Sequence, residues 1–168
     1  MIPTLRTDRL ILRAPQADDF APFAALAAAD NPGFLGGLSR KDAAHAFAIE
    51  VAGWITHGTG KWTVALTADG TPVGMTGVVR FPHFPEPEIG WMLFPGHRGR
   101  GYATEAATAA RDWAREAGIP SLVSYVSPGN AASIAVAERL GATPDPDAPY
   151  PDGEGPEETA IYRHWGAA

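Results

Sequence analysis

The chain has no cysteine. Disulfides, a thiol nucleophile and zinc–thiolate sites are therefore excluded. No apolar run approaches the ~18 residues needed to cross a bilayer, so no membrane partner is expected. The stretch Met1-Ile2-Pro3-Thr4-Leu5-Arg6 carries neither the hydrophobic region nor the cleavage pattern of a signal peptide, and a soluble cytoplasmic protein is the expectation. Thirteen basic residues face nineteen acidic ones and form no basic stripe, so nucleic acid is not an expected partner. The histidines, His45, His57, His83, His97 and His164, are scattered with no H-x-H or H-E-x-x-H pair, and no metal is expected. There is no G-x-x-x-x-G-K-[ST] loop and no G-x-S-x-G elbow.

What remains is a folded chain. Its 168 residues, 45% apolar and 10% aromatic, suffice for one domain with a core. The net charge of −6 sits in residues 145–158, where Asp145, Asp147, Asp152, Glu154, Glu157 and Glu158 have no Lys or Arg among them. That Pro- and acid-rich stretch, 144–158, reads as a loop or hairpin arm. Leu5 to Ala14 reads as a first strand, with Leu10 and Leu12 on one face. Asp18 is placed to cap a short helix through Phe20, Phe23 and Ala27, ended by Asn31-Pro32-Gly33. Ser39 looks like the cap of a second helix, with an apolar stripe of Ala43, Phe47, Val51, Trp54 and Ile55. Trp62, Val64 and Leu66 alternate as a strand, and Asp69-Gly70 turns it into another that places Val73, Met75, Gly77 and Val79 on one face. Strands follow at Glu88 to Phe94, Leu122 to Val126 and Thr159 to Trp165. Helices run from Tyr102 to Ala117 and from Asn130 towards Leu140. This order indicates one α/β domain of α+β type with a mostly antiparallel sheet.

The stretch Phe94-Pro95-Gly96-His97-Arg98-Gly99-Arg100-Gly101-Tyr102-Ala103-Thr104-Glu105-Ala106 joins a strand to a helix. Exposed backbone N–H groups and the positive end of the helix dipole suit such a place to a phosphate. A dinucleotide fingerprint fails, because Thr104 stands where its third glycine belongs. The pattern R/Q-x-x-G-x-G/A of a pyrophosphate loop is met by Arg98, Gly101 and Ala103. A glycine-rich turn that merely caps a helix is the competing reading.

Taken together, these pieces make the chain similar to the GCN5-related N-acetyltransferase (GNAT) family, in its RimJ/RimL-like branch. The resemblance is carried by Thr7-Asp8-Arg9-Leu10-Ile11-Leu12-Arg13, by Glu88-Ile89-Gly90-Trp91, by the loop from Arg98 to Ala106, by Asn130-Ala131-Ala132-Ser133 and by Glu138-Arg139-Leu140-Gly141-Ala142. It spans essentially the whole chain. It implies a single N-acetyltransferase domain over 1–168, with about seven strands split between the fourth (Glu88 to Phe94) and the fifth (Leu122 to Val126) and about four flanking helices. It implies acetyl-CoA as co-substrate, its pyrophosphate held by Arg98, Gly99, Arg100, Gly101, Tyr102, Ala103 and Thr104. Its arm would be touched by Asn130 and Ser133, and its acyl carbonyl by a backbone N–H near Leu93 or Phe94.

The implied reaction is direct attack of a primary amine on the thioester, the amine belonging to a protein or peptide N-terminus or to a small molecule. Glu88 is the candidate base, against a strand-edge salt bridge. Ser133 is the candidate proton donor to the departing thiolate, against a small residue packed on the sheet, because Ala137 stands where many members carry a tyrosine. Glu105 reads as a partner of the helix dipole or a polar contact. The acceptor is expected between the Gly33–Leu38 loop, the His83–Pro87 connection, Trp91 and the 144–158 arm. That arm either favours a cationic amine or is a solvated loop. A non-catalytic acyl-CoA-binding domain and an O-acetyltransferase remain as alternatives, and a homodimer is compatible with the sequence.

Overall fold

The computed structural model describes residues 1–29 and 35–166. Among these, eight strands form one sheet: β1 (Leu5–Arg6), β2 (Leu10–Arg13), β3 (Lys61–Leu66), β4 (Pro72–Val79), β5 (Glu88–Leu93), β6 (Leu122–Val126), β7 (Thr143–Pro144) and β8 (Ala160–Trp165). Four helices accompany it: α1 (Phe20–Ala28), α2 (Arg40–Thr56), α3 (Tyr102–Glu116) and α4 (Ala131–Arg139). The strand order is β1-β2-β3-β4-β5-β6-β8-β7, with β5–β6 the one parallel pairing among the described residues.

The mixed, mostly antiparallel sheet and its split match the sequence expectation. The first strand does not. Leu5 to Ala14 folds back on itself as β1 and β2, with Leu5 opposite Leu12. Thr7 makes the turn: its N–H donates to Leu10 O (2.9 Å) and its Oγ1 accepts from Leu10 N (3.0 Å). Such a side-chain turn is open to Ser and Thr in any sequence and leaves the apolar alternation unchanged. With β7, the break raises the strand count above seven.

One layer of helix lies on each face. On one, α3 brings Ala106, Ala107, Ala110 and Ala114 against Leu10, Val73, Val78 and Ile89 in a common core. Small side chains let the helix axis come close to the sheet. Trp54, Trp62 and Trp113 meet edge to face there, with ring centroids 4.6 to 5.7 Å apart. On the other face, α1 and α2 pack Phe23, Leu26 and Ala43 against Met75 and Phe94. Val73 and Met75 thus face opposite ways, against the expected single face. A bulge is the reason: Val64 pairs with Gly74 and Ala65 with Pro72, which skips Val73.

Ser39 caps α2 as expected, accepting from Asp42 N at 3.2 Å. Asp19, not Asp18, carries the polar work before α1. It accepts from Gln16 N, from both Arg13 Nη1 and Nη2, and from Thr63 Oγ1, each at 2.8 Å. Ile55 also departs from its expected stripe, being exposed, while Glu50 takes a buried place on α2. The expected helix stop at Asn31-Pro32-Gly33 lies outside the described residues.

Candidate active site

The glycine loop begins where β5 ends. Phe94 donates its N–H to Val73 O at 2.9 Å and buries its ring with Phe23 and Met75. The chain then turns through Gly96, Gly99 and Gly101, all at positive φ (84°, 77° and 79°). Gly101 is the N-cap of α3, and a left-handed cap without a side chain leaves the first-turn N–H groups facing outward.

This loop is strapped to the β1–β2 turn. Arg9 donates from Nη1 to Arg100 O (3.0 Å) and from Nε to Glu105 Oε2 (2.7 Å), with its guanidinium 4.9 Å above the Tyr102 ring. Thr7 Oγ1 donates to Glu105 Oε1 at 2.6 Å. Burial pushes the Glu105 carboxyl up, but hydrogen bonds from Thr7 and Arg9 outweigh it and hold it below its ordinary value. Glu105 is therefore a structural anchor.

The split opens one residue past the β5–β6 contact. Glu88 pairs with Val123, and Val123 N donates to Pro87 O at 3.1 Å. A continued parallel ladder would next join Tyr125 N–H to Ile89 O. That carbonyl instead accepts from Ser124 Oγ at 2.8 Å. Ser124 Oγ also lies 3.1 Å from His164 Nε2. The serine has one hydrogen and spends it on Ile89, so the imidazole proton sits on Nε2. Burial, helped by Arg111 and Arg115, lowers His164 to about 4 and keeps it neutral.

Beyond this point the strands diverge around a cavity of about 1290 Å³. Phe94 N–H points to β4, so by strand alternation the N–H groups of Trp91 and Leu93 point into the gap. Of the expected cofactor residues, Leu93, Arg98, Gly99, Gly101, Ala103, Thr104, Asn130 and Ser133 line the cavity. Phe94, Arg100 and Tyr102 are not among its lining residues; Phe94 is core, and the other two are held by Arg9. Asn130 Oδ1 accepts from Ser133 N (3.2 Å), which caps α4 and fixes Ser133 on the cavity wall. Ala137 packs fully buried against Val126 and Tyr162 and is not a lining residue. Arg139, which sequence reasoning missed, lines the cavity as Arg98 does.

The other end is acidic and aromatic. Phe84 and Tyr125 contribute rings 4.9 Å apart, and Glu154 and Glu158 of the arm reach the rim. The arm is tied down by Arg163, which pairs with Asp145 and forks onto Glu86 at 2.8 and 2.9 Å, and by Asp152 N donating to His83 O at 3.0 Å. Leu35 and Trp91 also line the cavity, while Gly33 and Phe34 of the expected acceptor loop lie outside the described residues.

Glu88 faces this chamber at the closed end of the split. Burial raises its carboxyl from 4.5 to about 7; Lys61 pulls it down, Glu50 pushes it up, the Tyr125 backbone N–H pulls it down and Glu154 pushes it up. Lys61 and Glu50 form a largely buried ion pair at 2.8 Å. Neither was singled out in the sequence. The available signal was Glu50 itself, a charge within the apolar stripe of α2. Among the described residues no group of three or more His, Cys, Asp or Glu side chains is arranged to hold a metal ion.

Comparison with known proteins places this geometry. The family model described as "Acetyltransferase (GNAT) domain" matches residues 9–143. A solved acetyltransferase from Agrobacterium tumefaciens str. C58 is 44% identical, with a TM-score of 0.90 over 98% of this chain and 95% of that one. RimL, a ribosomal L7/L12 alpha-N-protein acetyltransferase solved in complex with coenzyme A, shares the fold at 18% identity, with a TM-score of 0.69 over 98% of each chain. A curated relative, the uncharacterized protein YkkB of Bacillus subtilis (strain 168), is 35% identical over 88 residues. The match spans about half, 51%, of either chain.

Proposed function

The chain belongs to the acetyltransferase (GNAT) family, and from that premise we propose that it acetylates a primary amine by direct attack on acetyl-CoA. It is an acyltransferase by family; the amine acceptor and the residue roles are our reading. The acceptor is a protein or peptide N-terminus or a small-molecule amine.

The residues fit the co-substrate. The left-handed glycine cap beside Arg98 suits a pyrophosphate, and a gap bordered by unladdered strand N–H groups suits an amide-bearing arm. When bound, acetyl-CoA supplies an activated acyl thioester. Phe94 N–H is committed to Val73, so polarising the acyl carbonyl falls to Leu93 N–H. Glu88 takes the proton that the amine loses as its nitrogen bonds to the acyl carbon. Ser133 or water returns a proton to sulfur as the C–S bond breaks. An α-amino group has a pKa near 8, so a carboxylate poised at about 7 is a competent acceptor for its proton.

The observation that carries this reading is the place of Glu88, half-buried on the cavity wall beside the point where β5 and β6 part, with desolvation pushing its carboxyl up to about 7. Calorimetric titration with acetyl-CoA and with desulfo-CoA, followed by an amine panel, tests it. Micromolar binding of both and acetylation of at least one amine are expected. No binding at millimolar cofactor would leave the Arg98–Thr104 loop as a helix-capping turn and end the enzyme reading.

A further inference from the structure

Lys61 is one of only two lysines in the chain, and its side chain is 8% exposed. Lysine is almost never buried without a partner. Here the partner is Glu50 of α2, 1% exposed, with Oε2 2.8 Å from Nζ. Buried pairs of this kind generally cost more desolvation than their attraction returns, and apolar replacements are often neutral or stabilising. Stability alone is thus a poor reason for the pair. Both members line the cavity. Gly90 shows what they meet there. A Cβ at that position would stand 3.3 Å from Glu88 Oε1 and 3.5 Å from Lys61 Nζ, so the carboxyl and the ammonium converge over a bare stretch of β5.

We propose that Lys61, anchored by Glu50, is a positioning residue for Glu88, holding its carboxyl at the cavity wall and setting how readily it gives up its proton. This rests on the reading of Glu88 as the base. The charged and polar groups facing Glu88 come from four elements: Lys61 on β3, Glu50 on α2, the N–H and the phenol of Tyr125 on β6 and Glu154 on the arm. Without Lys61, burial would leave Glu88 protonated at neutral pH and unable to accept a proton. Without Glu50, Lys61 would turn its full charge on Glu88 and hold the carboxylate as a weak base. The two together leave Glu88 titrating where an amine needs it.

The test uses Lys61→Met, Glu50→Gln, Lys61→Arg and the double variant. The Glu88 carboxyl carbon is titrated by NMR, assigned by its loss in Glu88→Gln, alongside the pH profile of kcat/KM. Lys61→Met is expected to move the Glu88 midpoint and the acid limb to higher pH, and Glu50→Gln to lower pH, each by about one pH unit. Lys61→Arg keeps the charge and stays near wild type. The double variant leaves no buried ion unpaired, so it keeps the test open if a single variant fails to fold. Its midpoint rises, because Lys61 acts on Glu88 more strongly than Glu50 does. Unmoved midpoints, or shifts of the two single variants in one direction, overturn the proposal. If the midpoints move as stated while Glu88→Gln keeps full turnover, the base assignment falls and the charge arrangement stands.

Discussion

Arg9 and Glu105 meet across 96 residues of chain, guanidinium Nη2 to Oε2 at 2.6 Å, and close the base of the glycine loop. Through Arg9 Nη1 the same contact holds the Arg100 carbonyl. The β1–β2 turn thereby fixes the backbone of the loop proposed to receive the pyrophosphate, without itself lining the cavity.

Arg9→Ala should therefore weaken coenzyme A binding though Arg9 lines no part of the cavity. The side chain is half exposed, so its ion pair is modest, about 1 kcal/mol and a Kd raised roughly fivefold. Calorimetry on the variant decides this. An unchanged Kd would mean the loop holds its shape without the strap.

Glu88→Gln should reduce acetyl transfer by roughly a hundredfold while leaving cofactor affinity intact. In the wild type, kcat/KM should climb with pH through about 7, where the carboxyl loses its proton. Steady-state rates from pH 5.5 to 9, with an acceptor whose amine titrates outside that limb, separate the two groups. Full turnover in the variant would remove Glu88 from the mechanism.

Stability should depend on pH through two opposed groups. As pH rises from 4.5 to about 7, an unfolded Glu88 has lost its proton while the folded one keeps it, so stability falls. As pH rises from about 4 to 6.5, an unfolded His164 gives up a proton that the folded ring never bound, so stability rises. Each effect reaches about 3 kcal/mol at most, and in the shared window they offset. Glu88→Gln should expose a rising slope there and His164→Gln a falling one, read by urea melts at half-unit intervals. A Glu88→Gln protein no more stable than wild type at pH 8 would contradict this account.

Asp19 should matter to the fold and not to the site. Asp19→Ala leaves Thr63 and the Gln16 N–H without their acceptor and Arg13 with only the Ala14 carbonyl, at a cost of about 3 kcal/mol. Burial opposes ionisation of Asp19, but Arg13, Gln16 and Thr63 together hold its pKa below 3.8. The stability that ionised Asp19 contributes is complete above 3.8 and disappears as pH falls through the lower folded value. Denaturant melts of the variant, with coenzyme A binding measured beside them, check that the loss is one of stability alone.

The parts of this molecule that were legible in its sequence are those where one residue acts on its near neighbours. Ser39 and Asn130 cap helices that begin beside them, Asp69-Gly70 turns its own hairpin, and the alanines of α3 announce a helix laid close on a sheet. What was missed depends on partners distant in sequence or on a slip of one residue. Thr7 turns the chain without disturbing the alternation of Leu10 and Leu12, and the bulge at Val73 reverses a face that spacing alone assigns to Met75. The burial of Glu50 makes sense only once Lys61 is seen across from it. In the site, Glu88 and the loop were legible as a strand and a glycine run. That Arg9 holds the Arg100 carbonyl and covers the Tyr102 ring, and that Val73 takes the Phe94 N–H, are contacts no local pattern announces.

The single Glu88–Val123 rung has a mechanical meaning. Five strands on one side and three on the other are two plates sharing one backbone seam, with Ser124 Oγ on the Ile89 carbonyl and the Arg163–Glu86 fork as side-chain ties beside it. A guest that lays its own amides along Trp91 and Leu93 takes the place of a ninth strand. The co-substrate is then also a keystone, and the plates should be braced against each other most firmly while the acetyl group is being handed over.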